Sequence, residues 1–197
     1  KQLEIEDLMQ QREFIEFGDV TYTEKTRAVV KIQDGCDRFC SYCIIPYARG
    51  RVRSRKPEGI ISEITKIAQE GIKEVVITGI HVASYGKDFK ENYGLIDLLE
   101  DLNKIEGIER IRLSSIEPLI LDEQFINRLS KLEKICHNFH LSLQSGCDET
   151  LKRMNRRYTI EQFTEIVERL RVAYSNVNLT TDIIVGFPGE TEEEFNK

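Results

Sequence analysis

Three of the five cysteines lie within eight residues of one another, as Cys36, Cys40 and Cys43. Their spacing, C-x3-C-x2-C, puts three thiolate ligands on one loop, where they can surround one small inorganic centre. A structural zinc ion takes four protein ligands, and no fourth Cys or His is near in the sequence. The spacing favours a [4Fe–4S] cluster with one open iron. Zinc completed by a distant His, and buried free thiols, stay alternatives.

The composition of the chain is that of an ordinary globular protein. The 197 residues are 40% hydrophobic and 31% charged, which suits one domain with a full core. The net charge of −6 argues against a nonspecific nucleic-acid binder but leaves room for a local basic patch. An odd number of cysteines and the lack of an apolar signal core argue against a secreted disulfide framework. No run of eighteen apolar residues exists, so we expect a cytoplasmic protein with no membrane partner.

The elements that must position the cysteines alternate between strand and helix. Apolar, β-branched runs predict strands at 28–32, 74–78, 110–114, 139–143 and 179–185. Helical spacing predicts helices over 60–68, 95–102, 125–132 and 163–170, with Asp122 as an N-cap and capping boxes at Thr159–Gln162 and Thr191–Glu194. Strand and helix in alternation predict a parallel sheet, either closed towards a barrel or open and doubly wound.

In both architectures chemistry gathers at the carboxyl ends of the strands, and here all five predicted ends are polar. The polar residues at those ends are Asp34 to Cys36; Thr78, Gly79 and His81; Ser114, Ser115 and Glu117; Gln144 to Gly146; and Gly186 to Glu190. Loops are commonly polar, but five consecutive cases, one with three thiols, predict a single site shared by the loops. Residues 1–27 are polar and weakly patterned, so we predict a linker or lead-in segment there.

The cysteine motif with an aromatic residue before its last cysteine, after the first strand of a repeated βα chain, resembles the radical S-adenosylmethionine (radical SAM) superfamily. Six stretches are similar to the tRNA methylthiotransferases: 35–50, 78–81, 113–118, 143–146, 152–158 and 182–191. The Thr-Gly-Ile-His and Ser-Ser-Ile-Glu-Pro stretches resemble most the branch that modifies N6-threonylcarbamoyladenosine beside the anticodon. The resemblance covers roughly residues 28–197.

This resemblance implies an α/β fold, a partial (β/α)6 TIM-like barrel of the radical SAM type, here with about five βα units. Residues 28–197 would form a truncated radical SAM core. The family's preceding domain, with three cysteines for a second cluster, and its small RNA-binding β domain are expected outside this sequence.

The resemblance also implies roles for individual residues. The cluster ligands would be Cys36, Cys40 and Cys43, with SAM bound to the open iron. The expected SAM contacts are Tyr42 at the adenine, Gly79 and His81 at the amino group, Ser115 and Glu117 at the methionine end, Gln144 and Asp182 at the ribose, Arg156 at the carboxylate, and Gly186 at the adenine. Ordinary structural roles for Tyr42, His81 and Arg156 are the competing interpretation.

The prediction for Asp182, and a further prediction for four arginines, also rest on the residues themselves. Asp182 lies inside an otherwise apolar predicted strand, and a buried carboxylate needs partners, so it is the most functional-looking acid. In an extended segment, alternating side chains point the same way. The arginines that alternate after the cysteine loop, predicted to line the mouth of the site as a phosphate track, are Arg49, Arg51, Arg53 and Arg55. A solvated charged face is the alternative.

The reaction implied by the resemblance is C–H methylthiolation of tRNA, at the adenine carbon between the two pyrimidine nitrogens. One electron from a flavodoxin- or ferredoxin-type donor would let the cluster cleave SAM to a 5′-deoxyadenosyl radical. Sulfur would come from a second [4Fe–4S] cluster, expected only in the full-length protein. No catalytic residue is expected beyond the cluster and the SAM site. The alternatives are a sister enzyme acting on isopentenyladenosine or on a ribosomal protein, and a non-catalytic, zinc-stabilised binding module.

Overall fold

The computed structural model describes residues 7–16 and 26–197. Its strands are β1 (Arg27–Asp34), β2 (Arg53–Ser54), β3 (Glu74–Gly79), β4 (Arg110–Leu113), β5 (Asn138–His140) and β6 (Asn178–Thr180). The first four form a sheet in the order β2-β1-β3-β4, and β5 pairs with β6. All neighbours are parallel except β2, which runs antiparallel to β1. Bridges from Ile111 to Ile135 and from Ile116 to Leu141 join the two sheets into one curled half-barrel.

Helices connect the parallel strands and cover one face of the sheet. They are α1 (Ile45–Arg49), α2 (Pro57–Gln69), α3 (Leu95–Asn103), α4 (Glu123–Leu129), α5 (Asp148–Arg153), α6 (Ile160–Ala173) and α7 (Glu192–Phe195). Asp122 caps α4 by accepting from the Phe125 backbone N–H, and the predicted capping boxes of α6 and α7 are formed. No helix in these described ranges is long and apolar enough to cross a membrane.

Side chains of the strands alternate between a core face and an open face. On β1, Ala28, Val30 and Ile32 are fully buried in the core shared with the helices, whereas Val29 between them is half-exposed. The same alternation on β5 buries Phe139 and leaves His140 on the opposite face. We call the side of the sheet that carries Val29 and His140 the open face. It is the face available to a ligand, because the helices occupy the other.

The five predicted parallel strands and the four predicted helices are confirmed, and together they form a partial barrel. The last two strands are shorter than predicted, ending at His140 and Thr180. Three short elements were not predicted: α1, β2 and α5. Most of the predicted lead-in segment, 1–27, lies outside the described residues. Its described part contacts the barrel, since Glu16 pairs with Arg55 at 2.7 Å and the Lys31 ammonium lies over the Phe14 ring.

Candidate active site at the carboxyl ends of the strands

The cysteine loop begins where β1 ends, and a glycine makes that turn possible. Gly35 has φ +71°, and a Cβ on it would lie 1.8 Å from the Arg51 carbonyl oxygen. No other residue fits there without moving the backbone. The Cys36 backbone N–H donates to the Gly50 carbonyl at 3.0 Å. The segment after the loop thereby fixes the position of the first cysteine.

The three thiols share one neighbourhood beside the end of β1. Cys36 is buried, Cys40 and Cys43 are half-buried, and all three are free. Burial raises the pKa of the Cys36 thiol, and the nearby charges of Cys40 and Cys43 raise it further. Within residues 7–16 and 26–197, no three Cys, His, Asp or Glu side chains converge on a point that one metal ion could occupy. Three mutually close thiols on one loop are the donor set of a cluster with an open iron, so the residues fit a [4Fe–4S] centre.

The loop is held from the far side of the site by residues 153–156, which follow α5. Ser41 donates its hydroxyl to the Arg153 carbonyl at 2.9 Å and its N–H to the Met154 carbonyl at 3.1 Å. The Asn155 side-chain amide donates to the Phe39 carbonyl at 2.8 Å. Phe39 itself has φ +51°, an unfavourable conformation that these contacts help to maintain. Sequence reasoning missed this segment's role, because nothing local links it to the cysteines.

Arg156 lies against the cluster ligands rather than free in the cavity. Its Nη1 is 3.4 Å from the Cys40 sulfur, its Nη2 donates to the Ser142 carbonyl at 2.9 Å, and its Nε contacts the Tyr158 hydroxyl at 3.1 Å. The structure brings Arg156 to the site, as predicted. Its guanidinium group is not free to form two hydrogen bonds with the SAM carboxylate, because each of its nitrogens already has a protein partner.

Glu117 is the buried acid of the site. Its carboxylate pairs with Arg38 from the cysteine loop and lies 3.3 Å from His81 Nε2. The other ring nitrogen of His81 is 2.6 Å from the Ser84 hydroxyl. Burial alone would raise the pKa of Glu117, but the hydrogen bond and charge of His81, with Arg38, outweigh burial and leave this pKa below its usual range. Two predicted site residues, on different loops, are therefore in direct contact.

A buried glutamine connects the end of β3 to the cysteine loop. Gln33 accepts from the His81 backbone N–H at 2.7 Å and donates to the Asp34 and Gly35 carbonyls at 2.6 Å. A Cβ on Gly79 would lie 3.0 Å from Gln33 oxygen atoms, so a small residue is needed there. Gln33 was not predicted as a site residue. The signal that could have identified it is an amide side chain at the end of an apolar strand, directly before the cysteine loop.

The predicted adenine side of the site is also assembled. The exposed Tyr42 ring lies edge-on to Phe187, with centroids 6.4 Å apart. Burial of its hydroxyl end raises the pKa of Tyr42 to about 12. Gly186 has φ +68° and donates its N–H to the Glu190 carboxylate at 2.6 Å. The glycine-rich turn after β6 and the last cysteines therefore border the same space.

The remaining predicted SAM contacts differ in how they are held. Ser115 is exposed beside Glu117. Gln144 is half-buried with φ +77°, and its backbone pairs with Asp182 and Ile184 across to the next segment. For Asp182, the prediction of a buried carboxylate is wrong, because its side chain is 79% exposed. The ladder of β6 ends at Thr180, so Asp182 projects from the open face, where it lies 3.4 Å from His140 Nε2.

Carboxylates engage all four arginines of the predicted phosphate track. Arg49 pairs with Asp34 at 2.6 Å and Arg51 with Asp37 at 3.1 Å. Arg53, only 3% exposed, lies 3.6 Å from Asp34. Arg55 pairs with Glu16 and Glu63. Burial raises the pKa of Asp34, but hydrogen bonds from Arg49 and Lys31 outweigh it and lower this pKa to about 2. Arg49, Arg51 and Arg53 thus pair with acids at the base of the cysteine loop, and of the four arginines Arg49 and Arg51 are the most exposed.

The family model of the radical SAM superfamily matches residues 30–197. The threonylcarbamoyladenosine tRNA methylthiotransferase MtaB of Bacillus subtilis (strain 168) is 44% identical over 192 residues, 97% of this chain and 42% of that protein. The tRNA-2-methylthio-N(6)-dimethylallyladenosine synthase of Caldicellulosiruptor saccharolyticus is 51% identical over 172 residues, 87% of this chain and 36% of that protein. The chain thus spans about two fifths of the length of such relatives.

Solved structures show the same fold at low sequence identity. The radical S-adenosylmethionine methyltransferase TsrM from Kitasatospora setae superposes with a TM-score of 0.69 at 21% identity, covering 85% of this chain and 32% of that one. The cobalamin-dependent S-adenosylmethionine radical enzyme OxsB gives a TM-score of 0.63 at 18% identity, covering 79% of this chain and 23% of that one. The half-barrel fold of this chain therefore occurs in solved structures of radical S-adenosylmethionine enzymes.

Proposed function

This chain belongs to the radical SAM superfamily, and from that premise we propose that it is the catalytic core of a tRNA methylthiotransferase acting on N6-threonylcarbamoyladenosine. The observation that carries the proposal is that three free thiols and the Glu117–His81–Arg38 group lie at the same end of the sheet. The name of the Bacillus subtilis relative supports the choice of reaction and substrate.

In this proposal Cys36, Cys40 and Cys43 hold a [4Fe–4S] cluster, and SAM binds beside it. Together the cluster and SAM supply one-electron chemistry that can break an unactivated C–H bond. The protein binds the cluster and SAM and orients them. Arg156 holds Cys40 through its sulfur contact, and the mouth between the loops limits access of water to the cofactor.

The cofactor-binding residues that we propose surround the thiols on the neighbouring loops. Glu117 presents a buried negative charge to the ammonium group of SAM, with Gly79, His81 and Ser115 beside it. Tyr42 and Gly186 border the adenine side. Gln144 is within the same rim and can hydrogen-bond ribose hydroxyls. Arg156 contributes its positive charge near the carboxylate end while keeping its contact with the Cys40 sulfur.

A second candidate substrate is dimethylallyladenosine in tRNA. Relatives 47–51% identical to this chain carry that activity in their names, over 86–88% of the chain. The ribosomal-protein substrate has no such support. In both tRNA proposals the partners are tRNA, a reduced flavodoxin or ferredoxin, and a second [4Fe–4S] cluster in the full-length protein. We propose the cytoplasm as the location, because that is where these partners meet.

Of the four alternating arginines, the partly exposed Arg49 and Arg51 are the ones that we propose for RNA phosphates.

Two measurements test the proposal. Anaerobically reconstituted full-length protein, reduced and given SAM, should form 5′-deoxyadenosine, and tRNA from a deletion strain should lack the methylthio group on threonylcarbamoyladenosine by nucleoside mass spectrometry. Loss of methylthio-dimethylallyladenosine instead would select the second candidate. Zinc with no iron, and no 5′-deoxyadenosine, would select the non-catalytic zinc module and refute an enzyme of this class.

A further inference from the structure

A second polar group lies on the open face of the sheet, away from the cysteine loop. His140 on β5 holds the Thr180 hydroxyl on β6 with one ring nitrogen, at 3.1 Å, and the Asp182 carboxylate with the other, at 3.4 Å. The two strands pair in register at His140 and Thr180, so the backbone fixes this arrangement. We call His140, Thr180 and Asp182 the open-face triad. The SAM contacts expected from the resemblance include neither His140 nor Thr180.

The position of the triad connects it to the site through one strand. Ser142 follows His140 by two residues, just beyond the end of β5. The Ser142 carbonyl accepts the Arg156 guanidinium that touches the Cys40 sulfur, and the His140 carbonyl accepts the N–H of Ile116, next to Glu117. The triad therefore lies on the open face next to the backbone segments that hold Arg156 and lead to Glu117.

The chemistry of the triad selects a ligand group. His140 has both ring nitrogens occupied and is 28% exposed, whereas the Asp182 side chain is 79% exposed. An ionised carboxylate accepts hydrogen bonds and donates none. The triad therefore presents a carboxylate, oriented by an imidazole, to a ligand that donates N–H or O–H. Among nucleobases, an exocyclic N–H is the donor that carboxylates accept.

We propose that Asp182, positioned by His140 and Thr180, binds the target adenine of the RNA through the hydrogen on its exocyclic nitrogen; this inference rests on the function proposed above. Enzymes that react at a nucleobase take it out of the stack and hold its Watson–Crick edge by hydrogen bonds. That edge carries both the exocyclic nitrogen and the carbon that the reaction modifies. Binding at the nitrogen thus fixes the reacting carbon relative to the mouth. The ribose hydroxyls of SAM offer the same donor chemistry, so the test must separate the two nucleosides.

The test uses reconstituted full-length enzyme with Asp182→Asn, and with Glu165→Gln as the matched control. Glu165 is an exposed carboxylate paired with Arg169 on α6, on the far side of the core. We expect Asp182→Asn to keep its iron content and to lose far more in methylthiolation than in RNA-independent formation of 5′-deoxyadenosine, because the RNA and not SAM is its proposed ligand. Methylthiolation of an anticodon stem-loop should lose about tenfold or more in kcat/KM, because a charged hydrogen bond is removed. The control should change neither.

A modified RNA sharpens this result. A stem-loop with an additional methyl on the exocyclic nitrogen lacks the N–H, so wild-type enzyme should lose a similar factor, and Asp182→Asn should lose little more. His140 is a positioning residue, so His140→Ala should raise KM more than it lowers kcat, and His140→Gln should recover part of the loss.

Three outcomes would overturn the inference. An equal loss of SAM binding and of RNA-independent cleavage in Asp182→Asn would assign the carboxylate to SAM. Unchanged kcat/KM would assign it to neither nucleoside. Wild-type enzyme that forms 5′-deoxyadenosine but never methylthiolates RNA would refute the proposed function itself, a failure seen without any variant.

Discussion

Two buried glutamates occupy opposite ends of the same sheet and have similar partners but different surroundings. Glu74, at the start of β3, accepts from Arg110 at 2.7 Å and from Arg112 at 3.0 Å, both on the adjacent strand. Glu117, beyond the end of β4, pairs with Arg38 and His81, which are on two separate loops. Glu74 thus joins strands that already hydrogen-bond each other. Glu117 joins loops that do not pair with each other as strands do.

This contrast matches the general division of labour in βα barrels, where the amino end stabilises the fold and the carboxyl end reacts. The ion pairs at the amino end fix strand positions. Those at the carboxyl end fix the cysteine loop relative to the loops that would hold SAM. Changes at the first end should therefore be seen in stability, and changes at the second end in cofactor chemistry.

The largest effect is expected from the cysteines themselves. Cys40→Ala should lose the cluster iron and reduce 5′-deoxyadenosine formation to background, because two thiolates cannot hold the centre. The matched control is Cys136→Ala near the amino end, where the thiol lies beside Arg112 and Glu74. It should keep both iron and activity. Iron analysis with chromatographic assay of 5′-deoxyadenosine measures both, and equal losses in the two variants would remove the distinction between the ends.

The two glutamates provide the next comparison. Glu117→Gln should lower SAM cleavage by about 100-fold, because a fixed charge at the cofactor and its hold on Arg38 are lost together. Glu74→Gln should instead lower the free energy of unfolding by about 2 kcal/mol, less than the roughly 3–5 kcal/mol of a fully buried pair, because Arg110 is half-exposed. Denaturant unfolding and the cleavage assay should give opposite rankings. The same ranking in both would contradict the contrast.

Arg156 should give a smaller and more specific effect. Arg156→Gln should lower SAM cleavage about tenfold and alter the electron paramagnetic resonance spectrum of the reduced cluster before SAM is added, because the contact with the Cys40 sulfur is lost. Arg128→Gln, which breaks a pairing with Asp97 and Glu100 on the helical face, is the control and should leave the spectrum unchanged. A spectrum that changes only with SAM present would support a carboxylate contact alone.

The sequence predicted the sheet well where periodicity and burial agree. Ala28, Val30 and Ile32 alternate on a strand whose neighbours cover it, so pattern and structure coincide. The sequence did not predict the structure where contacts between distant residues determine the position of a side chain. Arg53 looked like one of a solvated row, but its pairing with Asp34 buries it. Asp182 looked like a buried strand residue, but its side chain is on the open face and is exposed. Asn155 and Gln33 act through partners distant in sequence or on the backbone, which no local pattern reports.

The smallest expected effect is the dependence of stability on pH. The pKa of Asp34 is lowered to about 2, and those of Glu74 and Glu117 are also lowered. A carboxyl group with a depressed folded-state pKa stabilises the protein above its unfolded pKa, and this stability is lost as the pH falls through the folded value. Stability of the protein without its cluster should therefore be flat near neutral pH and decline below about pH 4.5. A decline that begins near pH 6 would point to histidine instead.

Mössbauer spectroscopy of the 57Fe-reconstituted, full-length protein under anaerobic conditions tests the central claim most directly. The wild type should contain about four more irons per chain than a variant in which Cys36, Cys40 and Cys43 are all alanine, and these irons should have the parameters of a [4Fe–4S] cluster. Adding SAM should alter the signal of one iron site in that cluster. Equal iron in the two proteins, or a spectrum insensitive to SAM, would contradict the account.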